Sequence, residues 1–206
     1  MLTIASVLIC LLLPPVNTKT PQIICTLGSG TSSNEYNAYA DQRPTPDAME
    51  LARRVSAALI SKCSPDCPAL VIFRNPTAPN SILLADSDKV KMAYSPQFFT
   101  SVHERYGDGA IIAIIAHMLG HGMDAAAPAR WMKSIPAPEL RADAWAGCVL
   151  AEAGLSTSGL AAAFAALSRY PSPSHPGWSQ RLPALRLGYT QCGGDVAKFP
   201  KGAGPK

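Results

Sequence analysis

The stretch Gly109-Ala110-Ile111-Ile112-Ala113-Ile114-Ile115-Ala116-His117-Met118-Leu119-Gly120-His121 decides how this chain folds. A run with no polar side chain leads straight into two histidines. Such a run is apolar whichever way it is turned, as expected of a helix buried on all sides in a domain core. Residues four apart on a helix lie one above the other, so His117 and His121 share a face and can aim at one point. Imidazoles at the end of a buried helix need partners, because an unpaired buried polar group is costly. A shared cation is one solution and hydrogen bonds to backbone are another. The histidine pair alone does not choose between them.

A second segment tips the balance. Glu139-Leu140-Arg141-Ala142-Asp143-Ala144-Trp145-Ala146-Gly147-Cys148-Val149-Leu150-Ala151 reads as another apolar, Ala-rich helix, introduced by Pro136 and Pro138. Glu139 and Asp143 are again one turn apart on one face. Catalytic zinc sites commonly take three protein ligands and keep a fourth position for water. Glu139 is placed to be the third ligand beside His117 and His121. Asp143 is placed to accept the free N–H of a ligating histidine, which fixes its tautomer. Taken singly, Glu139 is a carboxylate favoured at a helix N-terminus and Asp143 half of a salt bridge. Together with the histidines, in this order, they point to a Zn2+ site.

The motifs H-x-x-G-H-G and E-L-x-A-D-x-W-A-G, as they stand at 117–122 and 139–147, resemble those of the gluzincin-type zinc metallopeptidases. They look particularly like small secreted or periplasmic members related to the CAAX prenyl protease. The resemblance extends upstream to 78–85 and 91–96, similar to the two short strands before the metal helix. Downstream, Ser174-His175-Pro176-Gly177-Trp178-Ser179-Gln180-Arg181 is similar to the family's S/T-H-P-x-x-x-x-R segment. It covers roughly residues 45 to 190. It implies a zincin-like domain, a polypeptide substrate, His175 beside the active site, Arg181 orienting groups there, and residues 91–94 as an edge strand that binds extended peptide by strand addition.

One residue departs from that pattern. The family's H-E-x-x-H places the general base where Met118 stands. A carboxylate at that position is worth on the order of a hundred- to ten-thousand-fold in rate, and a thioether carries no proton to exchange. Glu104 and Asp124 are the nearby acids, and nothing in the sequence directs either at the ion. Met118 leaves the ligands intact, so zinc binding is expected and catalysis is impaired. The leading expectation is a metallopeptidase-family protein lacking its base. The alternatives are a pseudo-peptidase that holds peptide or a partner protein, and a structural domain whose histidines merely pack.

Length and composition set the frame. A chain of 206 residues holds one domain with a real core, and 48% hydrophobic residues rule out a disordered one. The net charge of +4 comes without a dense basic run, so nucleic acid is not indicated. Residues 2–16 are apolar and end in two prolines. They fit the core of a signal peptide, or a short anchor that would hold the domain at a membrane. Either sends the protein out of the cytoplasm, to the periplasm or beyond. Cysteine usage agrees: Cys63 and Cys67 close a small disulfide loop or stay a pair of free thiols, and Cys148 and Cys192 can bridge, with Cys25 left over near a flexible start; spacing alone does not set the connectivity.

Along the chain, 1–18 is the targeting segment, 19–45 a polar linker, 46–192 the domain and 193–206 a flexible tail. A helix over 47–62, short strands at 70–73, 81–85 and 90–94, a helix over 96–106 and several Ala-rich helices follow in order. That order is α+β, with a small antiparallel or mixed sheet packed on helices.

Overall fold

The computed structural model describes residues 22–27, 36–63, 67–86, 89–126, 129–169 and 176–200. The expected targeting segment, residues 19–21 and 28–35 of the expected linker, His175 and the last residues of the expected tail lie outside that set. The chain is α+β, as expected. Strand β1 (Gln22–Leu27) is followed by helix α1 (Pro46–Cys63), strands β2 (Ala69–Arg74), β3 (Ser81–Asp86) and β4 (Lys89–Tyr94), then helices α2 (Pro96–Tyr106), α3 (Asp108–Ala126), α4 (Pro138–Glu152), α5 (Thr157–Arg169) and α6 (Trp178–Gln191).

Local chemistry explains several boundaries. Pro46, Pro96 and Pro138 each open a helix, where the missing N–H costs nothing. Thr45 Oγ1 accepts from the Ala48 amide at 3.3 Å, and Ser95 Oγ accepts from the Phe98 amide at 3.3 Å. Thr45 therefore caps α1, and Asp47 sits in its first turn.

The sheet is mixed, with strand order β1-β3-β4-β2. The β1/β3 and β3/β4 pairs are antiparallel and β2/β4 is parallel. Two expectations change here. Residues 91–94 do not form an edge, because β4 lies between β3 and β2. Gln22–Leu27, read above as linker, is an edge strand of the sheet. In β3 and β4 the side chains alternate between the two faces of the sheet. Leu83, Val90, Met92 and Tyr94 face the main core with the helices, whereas Ile82, Leu84 and Ala93 form a second cluster with Ala78 on the other side. Lys91 points to that second side, paired with Asp41 and lying over the Phe73 ring.

Helix α3 is the centre of the molecule. It is buried from Gly109 to Met123 and packs against α1, α2, α4, α5 and the sheet. That explains why its sequence is apolar on every face. Gly120 is required by this packing: a Cβ there would lie 2.9 Å from Ala142 O and from Trp145 Cβ. The close approach brings the start of α4, with Glu139 and Asp143, against the histidine face of α3.

Helix α6 packs on α4, and the Cys148–Cys192 disulfide (Cα–Cα 5.1 Å) ties its end there, as expected. Cys67 is disulfide-bonded, while the side chain of Cys63, its expected partner, lies outside the described residues. The start of the expected tail is docked: Phe199 is buried against Phe164 and Tyr189, with ring centroids 4.8 and 5.5 Å away. Among the described residues, no helix is long and apolar enough to cross a membrane.

Candidate metal centre

Helices α3 and α4 bring His117, His121 and Glu139 together, as the spacing predicts. Glu139 Oε2 lies 3.5 Å from His117 Nε2 and 3.4 Å from His121 Nε2. A metal ion about 2.1 Å from each donor of a tetrahedron makes its edges about 3.4 Å. The imidazole rings stand edge to face, with centroids 4.9 Å apart, so their nitrogens converge without stacking. His121 Nε2 is buried and has no hydrogen-bond partner among the described residues. A cation between these groups would satisfy it.

The fourth member was not expected. Cys25 Sγ joins the three, and all four donor atoms lie within 4.8 Å of one another. A β-bulge puts it there. Ile23 stands opposite Leu84 and Cys25 opposite Leu83, so Ile24 is the extra residue. In a regular ladder Ile24 would face Leu83 and Cys25 would point away from α3, because a one-residue slip exchanges the faces. The bulge turns Cys25 and Leu27 into the helix-facing core, where both are buried. Cys25 is unpaired, as the cysteine count implies, but it is buried in the sheet rather than loose at a flexible start.

In the metal-free cluster the electrostatics favour a thiolate at Cys25 and protonated imidazoles at His117 and His121, so a cation binding there would displace protons. Burial opposes ionisation of the Cys25 thiol, but hydrogen bonds and charge from His117 and His121 outweigh it and hold the thiol below its usual range. The thiolate is the form that ligates. Burial likewise opposes protonation of His121, which contacts with Cys25 and Glu139 reverse.

Behind the ligands is a buried relay. His117 Nδ1 lies 2.9 Å from Asp143 Oδ1. Arg181 donates to the same carboxylate through Nε (2.8 Å, to Oδ2) and Nη2 (2.7 Å, to Oδ1), and through Nη1 to Leu167 O (2.6 Å). His117 and Asp143 are 0% exposed and Arg181 2%, so no solvent competes for these bonds. Burial alone would favour the neutral acid at Asp143, but the hydrogen bonds and charge of Arg181, with His117, hold its carboxyl below the usual range. An ionised Asp143 fixes Nδ1 as the donor and leaves Nε2 for a metal. Asp143 thus stands where the sequence places it. Arg181 does not address the metal cluster directly; it positions Asp143.

The remaining acids are elsewhere. Asp124 accepts from Arg141 Nε at 2.7 Å, and Arg141 also holds the carbonyls of Ile135 and Pro136, which anchors the approach to α4. Glu104 lines a separate cavity. Neither replaces a base at 118. Met118 itself is fully buried in the main core.

One signal could have pointed to Cys25: it is the cysteine left without a disulfide partner once the apolar N-terminal stretch with Cys10 is set aside. No protein-family model, curated protein or solved structure matches the chain.

Proposed function

We propose that this chain is a zincin-like metallopeptidase scaffold that holds zinc in a closed, four-ligand site and binds polypeptide without cutting it. Cys25 in the fourth position carries this reading. Peptidase sites keep three protein ligands and an open place, whereas four protein ligands with thiolate among them are the mark of a structural site. Thiolate, two imidazoles and a carboxylate in a compact cluster suit Zn2+ better than the harder, oxygen-preferring ions. Zinc bound there supplies a charge that ties β1 to α3 and α4. Met118 argues in the same direction, because it removes the base that hydrolysis needs.

The polypeptide part of the reading rests on the sheet. In strand addition, an extended peptide lies along an exposed edge and gains main-chain hydrogen bonds. Here the chain's own Gln22–Leu27 lies antiparallel along β3, in the manner of such a peptide. A partner segment would compete with β1 for that edge. Export fits the Cys148–Cys192 disulfide, since such bonds persist in oxidising compartments.

Cobalt substitution tests the closed site. Full-length protein loaded with Co2+ should show a four-coordinate ligand-field spectrum with a thiolate-to-cobalt charge-transfer band, and Cys25→Ser should lose that band while His117 and His121 still hold the ion. A wild-type spectrum without thiolate character, on protein that retains stoichiometric metal, would return the site to the open, peptidase type.

A further inference from the structure

A second constellation lies away from the metal centre. A cavity of about 400 Å3 opens between the first turns of α1, one face of α2 and the start of α3. That volume falls at the lower end of the range for small-ligand sites, about 300–1,000 Å3. Pro96, Phe99, Thr100, His103 and Glu104 line it at i, i+3, i+4, i+7 and i+8, so one face of α2 forms a wall from end to end. Leu51 and Ile111 supply apolar surface opposite.

The two ends of this wall differ. At the strand end stand Arg74 and Tyr94, the last residues of β2 and β4 and partners in the parallel register, so both project to one face. Tyr94 is 2% exposed and its hydroxyl is buried without a hydrogen-bond partner. Stacking on Phe99 at 3.9 Å holds the ring in place. Arg74 Nε is also buried without a partner. Buried donors left unmet are costly unless something accepts from them. At the other end are Glu104, about 12 Å along α2 from Pro96 by helical rise, and Asp108 at the start of α3, 3.1 Å from His103 Nε2.

We propose that this cavity binds a small elongated carboxylate with a cationic far end, an ω-amino acid in the manner of lysine. The carboxylate accepts from Arg74 Nε and Tyr94 Oη, a charge-assisted pair of bonds. The methylene stem lies against Leu51, Phe99 and Ile111. The ammonium faces Glu104 and Asp108. A phosphate fits less well, because Asp47, Glu104 and Asp108 border the same space and repel a dianion. The acidic end is exposed, so it contributes less than the arginine end.

Titration calorimetry on the full chain tests this with 6-aminohexanoate, hexanoate, pentylamine and inorganic phosphate. Saturable binding should be tightest for 6-aminohexanoate, several-fold weaker for hexanoate, and weaker by about tenfold or more for pentylamine and phosphate, which lack the carboxylate. Arg74→Met should weaken 6-aminohexanoate by about tenfold or more. Tyr94→Phe, which keeps the stack on Phe99, should weaken it less, with metal content unchanged in both variants. Absence of saturable heat, tighter binding of phosphate or pentylamine, or binding indifferent to both substitutions would overturn the proposal.

Discussion

The candidate metal centre has two halves built in different ways. Three donors come from α3 and α4, which are buried, packed through Gly120 and backed by the Asp143–Arg181 pair. The fourth comes from β1, an edge strand that pairs with β3 on one side only and is turned inward by a bulge. The helical half keeps its geometry through side-chain bonds that exclude water. The strand half depends on main-chain pairing and, on the function proposed above, on a bound ion. The donor that can leave is therefore Cys25.

The largest expected effect lies in the helical half. Asp143→Ala leaves Arg181 buried without its carboxylate, and breaking a buried pair from one side costs about 3–5 kcal/mol. Denaturant unfolding should show that loss, and chelator competition should show metal affinity lower by about ten- to a hundredfold. Unchanged unfolding would mean that water reaches Arg181 and that the relay does not hold this half rigid.

Next comes the disulfide that fastens α6, the helix carrying Arg181. For the 44-residue separation of Cys148 and Cys192, the chain-entropy estimate is roughly 4 kcal/mol. Cys192→Ser should lower the unfolding free energy by a few kcal/mol in the same assay. It should also weaken metal retention, because Arg181 and Asp143 lose their support. Lower stability with unaltered retention would separate the disulfide from the site.

Cys25→Ser should act on the strand half alone. Zinc should be held more weakly, and amide exchange across β1 should quicken while α3 and α4 keep their protection. Exchange that rises equally in all three elements would erase the distinction between the halves.

The smallest expected effect is that of Met118→Glu on its own. Met118→Glu alone should give no measurable gain in peptide hydrolysis, because Cys25 still fills the fourth position. Met118→Glu combined with Cys25→Ala should gain at least about a hundredfold, the lower end of general-base contributions. Met118→Gln with Cys25→Ala is the control and should stay inactive. Hydrolysis by the single Glu variant would mean that Cys25 does not close the site.

Helical spacing made much of this legible. His117 and His121, and likewise Glu139 and Asp143, sit one turn apart, so the shared faces could be read without knowing what packs against them. The apolar run before His117 announced a helix buried on all sides, and the prolines announced where helices start. Strand 91–94 was legible as a strand but not as an interior one, since position in a sheet depends on which segments pair.

Taken alone, then, the sequence determined the α+β class and the shared faces of His117 with His121 and of Glu139 with Asp143, which follow from periodicities within single segments, while the reading of Met118 as a missing base came from the resemblance of the motif. Tertiary structure alone decided that Gln22–Leu27 joins the sheet, that a bulge turns Cys25 toward the histidines, and that Arg181 serves Asp143. These depend on contacts between segments far apart in the chain. Register and long-range pairing are set by the energy of the whole packed core, and no local pattern encodes them.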